Sequence, residues 1–497
     1  MLGRAIDRLI SDYKRLKNRT VFFCLLALSF FLRFPFVFRD YIDRDESTFI
    51  LVAQGWVDGH LPYTLLWDLK PPITFAFFAS LILLFGKSLI AIRISGIVVV
   101  AIIAFFSYLI SSELSNKKTA FWVGVFTVLL ISLFGSLQGL MSEHISMLFF
   151  MPALYLTATR RTTMSLFLAG VLLGCAAMTK INLAYPILLL GLYLIYDWIR
   201  SNRNTKGLVA ILAFALGVVF IILLTALPYY LEGNTILWWK AVVLAPLEYS
   251  GARRDSLGSF APLLIPLGLF LIYAIRTGRL DLKNSAETAL LVALVGVVIA
   301  FISGGRINGH YLIQLHPILL IRLGIVLGNA LPAIKWTYRP LVLMILLLLP
   351  IESYKEYSDI IRNKLKTGNF INGEGYTVSE YIKEQGLSSK RILFLEYHIG
   401  YWFLDIIPPT KAATHPTNIC RDETFVYFDN PRDKSMEELR YIMEDIAPEI
   451  VITRKKWNIF DKKEEEENNY IRNFLQEHYN IRKEIDNSEI HQRLKIH

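Results

Sequence analysis

Cysteine is scarce. The three present, Cys24, Cys175 and Cys420, lie far apart, two in apolar runs and one in a polar tail. They indicate no disulfide framework, and no Cys/His metal spacing accompanies them. Charge is sparse too: 19% of the 497 residues are charged, against about 25% in an ordinary soluble domain. With 54% hydrophobic residues and a mean hydropathy of +0.43, an all-soluble, disordered or fibrous chain is excluded. The apolar runs are too long for a transmembrane β-barrel, which alternates in short segments. The basic stretch Arg4, Arg8, Lys14, Arg15, Lys17 and Arg19 precedes an apolar run. No small-residue cleavage site follows that run, so it reads as an uncleaved first span.

What the chain has is long apolar runs over roughly its first 350 residues. A helix needs about 20 apolar residues to cross a hydrocarbon core of about 30 Å. Candidate spans are 20–38, 88–111, 120–137, 144–158, 165–179, 184–199, 208–228, 261–276, 286–303, 311–330 and 340–352, about eleven in all. If the basic N-terminus is cytoplasmic, every second loop is basic: Lys117 and Lys118, Arg160 and Arg161, Arg200 to Lys206, Arg276 to Lys283, then Lys335 and Arg339. That is the positive-inside pattern. Much of the net charge of +10 is therefore an orientation signal, and it indicates no nucleic-acid partner. Residues 73–86 are apolar but too short to span, at about 21 Å of helix. They read as a helix at the outer interface. The expected architecture is an α-helical polytopic membrane domain over 1–352 and an extracytoplasmic α/β domain over 353–497.

Charge in or beside lipid is costly and marks function. Here such residues collect on the side assigned as outer: Asp43, Arg44, Asp45, Glu46, Asp68, Lys70, Glu143, His144, Lys180, Glu248, Arg253, Arg254, Asp255, Arg306 and His310. The first outer loop is patterned: Asp45-Glu46, then Gly59 to Tyr63, then Trp67-Asp68-Leu69-Lys70-Pro71-Pro72. Asp45 alone could be a helix-capping carboxylate. Tied to an interfacial helix and an Asp/Lys/Pro/Pro cluster, it could equally offer a base and a cation to a lipid-borne substrate.

These elements resemble the first outer loop of GT-C glycosyltransferases. More narrowly, they are similar to the protein O-mannosyltransferase family and the bacterial aminoarabinose-lipid A transferases. The later Gly304-Gly305-Arg306, Gly309-His310-Tyr311, Gln314 and Pro317 resemble that family's late outer loop and following span. The likeness covers the whole membrane part and extends weakly into the tail. It implies a GT-C-like fold and a polyprenyl-phosphate sugar donor. It also implies inverting transfer to an envelope glycan, lipid A or protein hydroxyl outside the cytoplasmic (inner) membrane. It makes Asp45 the general base, with Glu46 beside it, and Lys70 with a later-loop Arg the donor-phosphate ligands. One departure is plain. The aminoarabinose transferases carry Glu directly before the Lys, whereas here Leu69 separates Asp68 from Lys70. The role of Asp68, and whether a divalent metal takes part, stay open.

The chemistry asks for the same groups. An acceptor hydroxyl needs a base within hydrogen-bond reach. A lipid phosphate leaving group needs cations rather than an acid. One base with cations gives a single displacement and so inversion, whereas a second, nucleophilic carboxylate would give retention. Arg253, Arg254, Arg306 and Lys180 are further candidate phosphate ligands, and Asp68, Glu143, His310 and Tyr311 candidate substrate contacts. Each has a plainer reading. Glu143 could cap a helix, Lys180 could snorkel to headgroups, and His310 could cap a polar loop. In the tail, 374–385, 436–445 and 469–479 read as helices and 391–395 and 449–453 as strands, which suggests a partly parallel sheet. The 462–469 run reads as a solvated charged face. No glycine-rich phosphate loop or nucleophile motif occurs there, so the tail is expected to handle the acceptor or to be structural. The rival reading is a polyprenyl-linked lipid or sugar transporter or flippase. Such proteins place polar sites near the midplane of repeated halves, and no repeated halves are visible. A structural or sensing membrane protein is a third reading.

Overall fold

The computed structural model describes residues 17–201, 203–306, 308–328, 344, 346–455 and 458–494. Packing divides the chain into two compact units built from separate stretches. The first takes Met1–Phe36, Arg93–Thr225 and Arg253–Glu356. The second takes Val37–Ile92, Ala226–Ala252 and Tyr357–His497. The expected division after residue 352 follows composition; packing groups two loops with the tail.

Among the described residues, seven helices are long and apolar enough to cross a membrane, and the protein is multi-pass. The expected spans at 120–137, 144–158 and 165–179 also form helices, Lys117–Leu130, Ser142–Thr159 and Thr163–Ala177. The first stops early, at Leu130 with Ile131 as its C-cap; the chain then turns and enters a short 3₁₀ helix at Gly135–Gln138, with Gly135 at φ +50°. Residues 340–343 and 345 of the expected eleventh span, 340–352, and the basic residues Arg4 to Arg15, Lys335 and Arg339 lie outside the described residues.

In the first unit, helix starts follow from side-chain caps. Asn116 accepts from the Thr119 N–H, Thr162 from Ser165, and Asn284 from Ala286 and Glu287. Each satisfies a donor that the first helical turn leaves unpaired. Gly170 lets the 163–177 helix approach Thr205–Leu231 closely, since a Cβ there would strike the backbone at Phe214 and Gly217. Small residues allow this contact where lipid supplies no hydrophobic driving force. Buried Arg33 donates to the carbonyls of Leu137 (2.5 Å) and Gly139 (2.6 Å), pairing the irregular stretch after Leu130. Buried Arg322 pairs with Glu287 at 3.1 Å.

The second unit holds a four-stranded sheet, order β1-β2-β4-β3, from β1 Ile392–Phe394, β2 Ile450–Arg454, β3 Tyr479–Ile485 and β4 Ser488–Arg493. β1 and β2 run parallel with Leu393 opposite Val451. They read as unbroken apolar strands because both faces are covered. The hairpin β3-β4 escaped the sequence reading, since β3 is mostly exposed and charged. The 462–469 run is more than a solvated face. It opens the Glu465–His478 helix, and within it Glu467 accepts from Ser435 at 2.6 Å while Asn468 binds the backbone of Phe460, Asp461 and Glu464.

Two helices of the first loop belong to this unit. Pro72–Phe85 begins at a Pro placed where no N–H is needed. Its exposed Leu83, Leu84 and Phe85 form the apolar tip that an interfacial helix buries in lipid. Arg44–Val57 is buried from Glu46 to Ala53 and packs on Pro72–Phe85, on Gly400–Leu404 and on the Ala412–Thr414 turn.

Candidate active site

The 44–57 helix aims Asp45. Asp43 precedes it in extended conformation and accepts the Asp45 N–H at 2.9 Å, so Asp45 falls in the first turn. A carboxylate is favoured there by the helix dipole. The structure brings two of the candidate residues together: Lys70 Nζ lies 3.0 Å from Asp45 Oδ2. Asp68, buried, accepts the Lys70 N–H at 3.3 Å and stands 4.0 Å from Nζ. Leu69 thus lets Asp68 turn back onto Lys70 in an Asx-type loop. Lys70 also lies over the Phe49 ring, 5.1 Å from its centroid. Glu46 is buried in the same helical turn.

The loop that carries Lys70 is held stiff. Tyr63 takes a left-handed φ of +72°, an uncommon cost for a side-chain-bearing residue. Its hydroxyl donates to the Lys70 carbonyl at 2.6 Å, and its ring stacks on Tyr229. Burial keeps that phenol well above its ordinary range, so it remains a donor. Trp67 is fully buried, its ring centroid 4.2 Å from that of Phe428.

The tail supplies residues that the sequence reading missed. His415 Nε2 lies 3.4 Å from Asp45 Oδ1. Glu396 accepts from Tyr41 Oη at 2.7 Å and Arg44 Nε at 3.3 Å, and pairs with Arg44 Nη2. That anchors the helix start one residue before Asp45. His398 Nε2 meets Thr48 Oγ1 at 2.9 Å. Burial pushes His398 well below its ordinary value and lowers His415 as well, so both rings are neutral. No local spacing marks these residues.

The other candidates lie in the first unit. Glu143, fully buried in the first turn of the 142–159 helix, pairs with Lys180, and His310 Nε2 is 3.8 Å from its Oε1. The Lys180 ammonium sits 4.3 Å from the Tyr311 ring centroid. The structure therefore gathers Glu143, Lys180, His310 and Tyr311 into one cluster. Arg254 Nη2 donates to the Ile302 carbonyl at 3.2 Å, and Arg306 Nε is 3.8 Å from Asp255 Oδ1. Arg253 is half-buried beside them in sequence. Among the described residues, no three His, Cys, Asp or Glu side chains are grouped so as to hold a metal ion. The chemistry below is derived for the side chains alone.

A family model described as dolichyl-phosphate-mannose-protein mannosyltransferase matches residues 69–225. A dolichol phosphate-mannose mannosyltransferase of Haloferax volcanii is 26% identical over 246 residues, 46% of this chain and 50% of the relative. The chain thus spans about half the length of that curated relative. Crystal structures of ArnT from Cupriavidus metallidurans share the fold. The form bound to undecaprenyl phosphate matches with a TM-score of 0.60 at 13% identity, covering 95% of this chain and 98% of ArnT. The apo form gives 0.59. The chain has a GT-C glycosyltransferase fold. The two sequence matches, both to mannosyltransferases, each cover less than half of the chain.

Proposed function

We propose that this protein transfers a sugar from a polyprenyl phosphate to an acceptor hydroxyl, with inversion at the anomeric carbon. The observation that carries the reading is the Asp45–Lys70 pair at 3.0 Å. A base and a phosphate-binding cation are held together on the first loop of a GT-C fold. Asp45 takes the acceptor proton as the acceptor oxygen bonds to the anomeric carbon. The bond from that carbon to the phosphate oxygen breaks, and its electron pair leaves on the phosphate. The donor is a phosphodiester and the leaving group a monoester, so negative charge grows where Lys70 can meet it. The phosphate competes with Asp45 for Lys70. Donor binding therefore frees the Asp45 carboxylate to act as a base.

Mannose is the first sugar to test, because both sequence matches are named for mannosyl transfer. The donor class is supported by the same names and by the undecaprenyl phosphate held in ArnT. Arg253, Arg254, Arg306 and Lys180 remain proposed phosphate ligands, and Glu143, His310 and Tyr311 proposed substrate contacts. Glu46 acts beside Asp45, and Asp68 holds Lys70. Transfer takes place outside the cytoplasmic membrane, with the N-terminus inside and residues 353–497 outside. The alternating basic loops support this orientation. So does the second unit, which gathers the first loop, residues 226–252 and the tail, all assigned to the outer side. The acceptor is a glycan, lipid or protein hydroxyl at that face.

The test uses full-length protein in detergent, radiolabelled polyprenyl-phosphate mannose and an envelope extract of the host. Label should pass to the extract and fail to do so with Asp45→Asn. Transfer by Asp45→Asn would overturn the base assignment. Absence of transfer from mannose, glucose and aminoarabinose donors alike would overturn the reaction.

A further inference from the structure

We infer that His415, from the C-terminal tail, is a positioning residue for Asp45, holding the base in place while Lys70 turns to the donor phosphate. The inference rests on the reading of Asp45 as the base.

His415 is nearly buried, and its ring has one readable tautomer. The Thr417 backbone N–H donates to Nδ1 at 3.2 Å, and Thr417 Oγ1 lies 2.9 Å from the same atom. A backbone N–H can only donate, so Nδ1 is an acceptor. In the neutral ring the proton therefore sits on Nε2, which lies 3.4 Å from Asp45 Oδ1. Such contacts are often long without substrate and tighten in the reacting complex. The groups around the ring are Asp45, Asp68, Lys70, Arg421 and His398; burial and Arg421 oppose a charged ring, while Asp45 and Asp68 favour one. Lys70 holds Oδ2 and His415 faces Oδ1. When the phosphate draws Lys70 away, Oδ2 becomes free to accept the acceptor proton. The Nε2–H remains on Oδ1 and fixes the plane of the carboxylate. A neutral donor suits this task, since a second cation would weaken the base.

The test is the pH profile of mannosyl transfer by full-length His415→Ala and His415→Gln, with folding followed by thermal melting in detergent. His415→Ala should lower kcat about 10- to 100-fold with little change in donor KM. Its acid limb should move to higher pH, because the carboxylate loses a hydrogen bond that favours its charged form. His415→Gln, whose amide N–H can reach toward Oδ1, should restore much of the rate and return the limb. If His415→Ala does not fold, His415→Met, which fills the site without an N–H donor, takes its place and is read in the same way. Loss of rate in the non-donor variant with recovery in His415→Gln supports the inference; loss of rate with an unmoved acid limb overturns it. Native rate and profile in His415→Ala also overturn it. A dead Asp45→Asn beside a native-like His415→Ala would sink this inference and leave the base standing. An active Asp45→Asn would sink the base itself.

Discussion

Replacing Lys70 by Met removes one charge and keeps most of the stem over Phe49. At the observed 3.0 Å, the Coulomb attraction between Lys70 and Asp45 is about 1.4 kcal/mol in water and about 5.5 kcal/mol at an effective dielectric near 20. The lysine side chain is only 15% exposed, so the local value lies between these, and desolvation offsets most of it. A charge-assisted hydrogen bond is worth about 1.5–3 kcal/mol net. If Lys70 gives that bond to the lipid phosphate, Lys70→Met should weaken polyprenyl phosphate binding about 10- to 150-fold. Undecaprenyl phosphate alone is a sufficient probe. It should raise the melting temperature of the native protein in detergent, and the dose needed should rise by that factor in the variant. Because phosphate charge grows during transfer, part of the loss should also appear in kcat. Lys70→Arg keeps the charge and should recover part of the affinity. An unchanged dose–response in Lys70→Met would refute the assignment of Lys70 to the phosphate.

Asp45→Asn should lower transfer at least about 100-fold while binding undecaprenyl phosphate as well as the native protein or better, since a competitor for Lys70 is gone; weaker binding would contradict that competition. Glu396→Gln should destabilise the protein by about 1–3 kcal/mol, less than a fully buried pair because the Arg44 side chain is 29% exposed. Adding Arg44→Gln should then cost less than the sum of the two single changes, as read by denaturant titration. Lys180→Met should destabilise more than the double change Lys180→Met with Glu143→Gln, because the single change leaves a fully buried carboxylate behind; equal melting temperatures would argue against a paired charge. His398 is held neutral in the fold by burial, its pKa well below the ordinary value. The unfolded chain therefore binds the extra proton as pH falls. Stability should be flat above about pH 6.5 and fall below it, by up to about 1.4 kcal/mol per pH unit from this group. Melting curves from pH 8 to 5 should show that slope reduced in His398→Gln.

The membrane part was legible because its signals are local. Apolar runs of span length and alternating basic loops need no knowledge of tertiary contacts, and the first-loop motif is compact in sequence. The Asp45–Lys70 pair joins residues only 25 apart, and its two arms are each set by nearby residues, Asp43 for one and Asp68 for the other. Departures arose where a local signal was weak. The helix that starts at Lys117 ends at Leu130, in a turn through Ile131 to Phe134 that apolar composition conceals. β3 exposes five of its seven residues, so it lacks the apolar alternation by which a half-buried strand is recognised. The turn at Asp486 and Asn487, with Asp486 at φ +48°, was the available hairpin cue.

The tail's part in the site was not legible, for a different reason. Glu396, His398 and His415 meet Arg44, Thr48 and Asp45 across roughly 350 to 370 positions, and no periodicity encodes such a contact. Composition pointed the other way, since the tail lacks any phosphate loop or nucleophile motif and so read as an accessory. It needs neither. If Asp45 and Lys70 act as proposed, both still have to be held when their ion pair opens. A separate layer that supplies neutral donors and a buried carboxylate does so without adding net positive charge at Asp45. The tail provides that layer: Glu396 neutralises Arg44, and neutral His415 and His398 face Asp45 and Thr48. A tail built only to dock an acceptor would have no use for a histidine whose tautomer is set by Thr417 and whose proton points at Asp45.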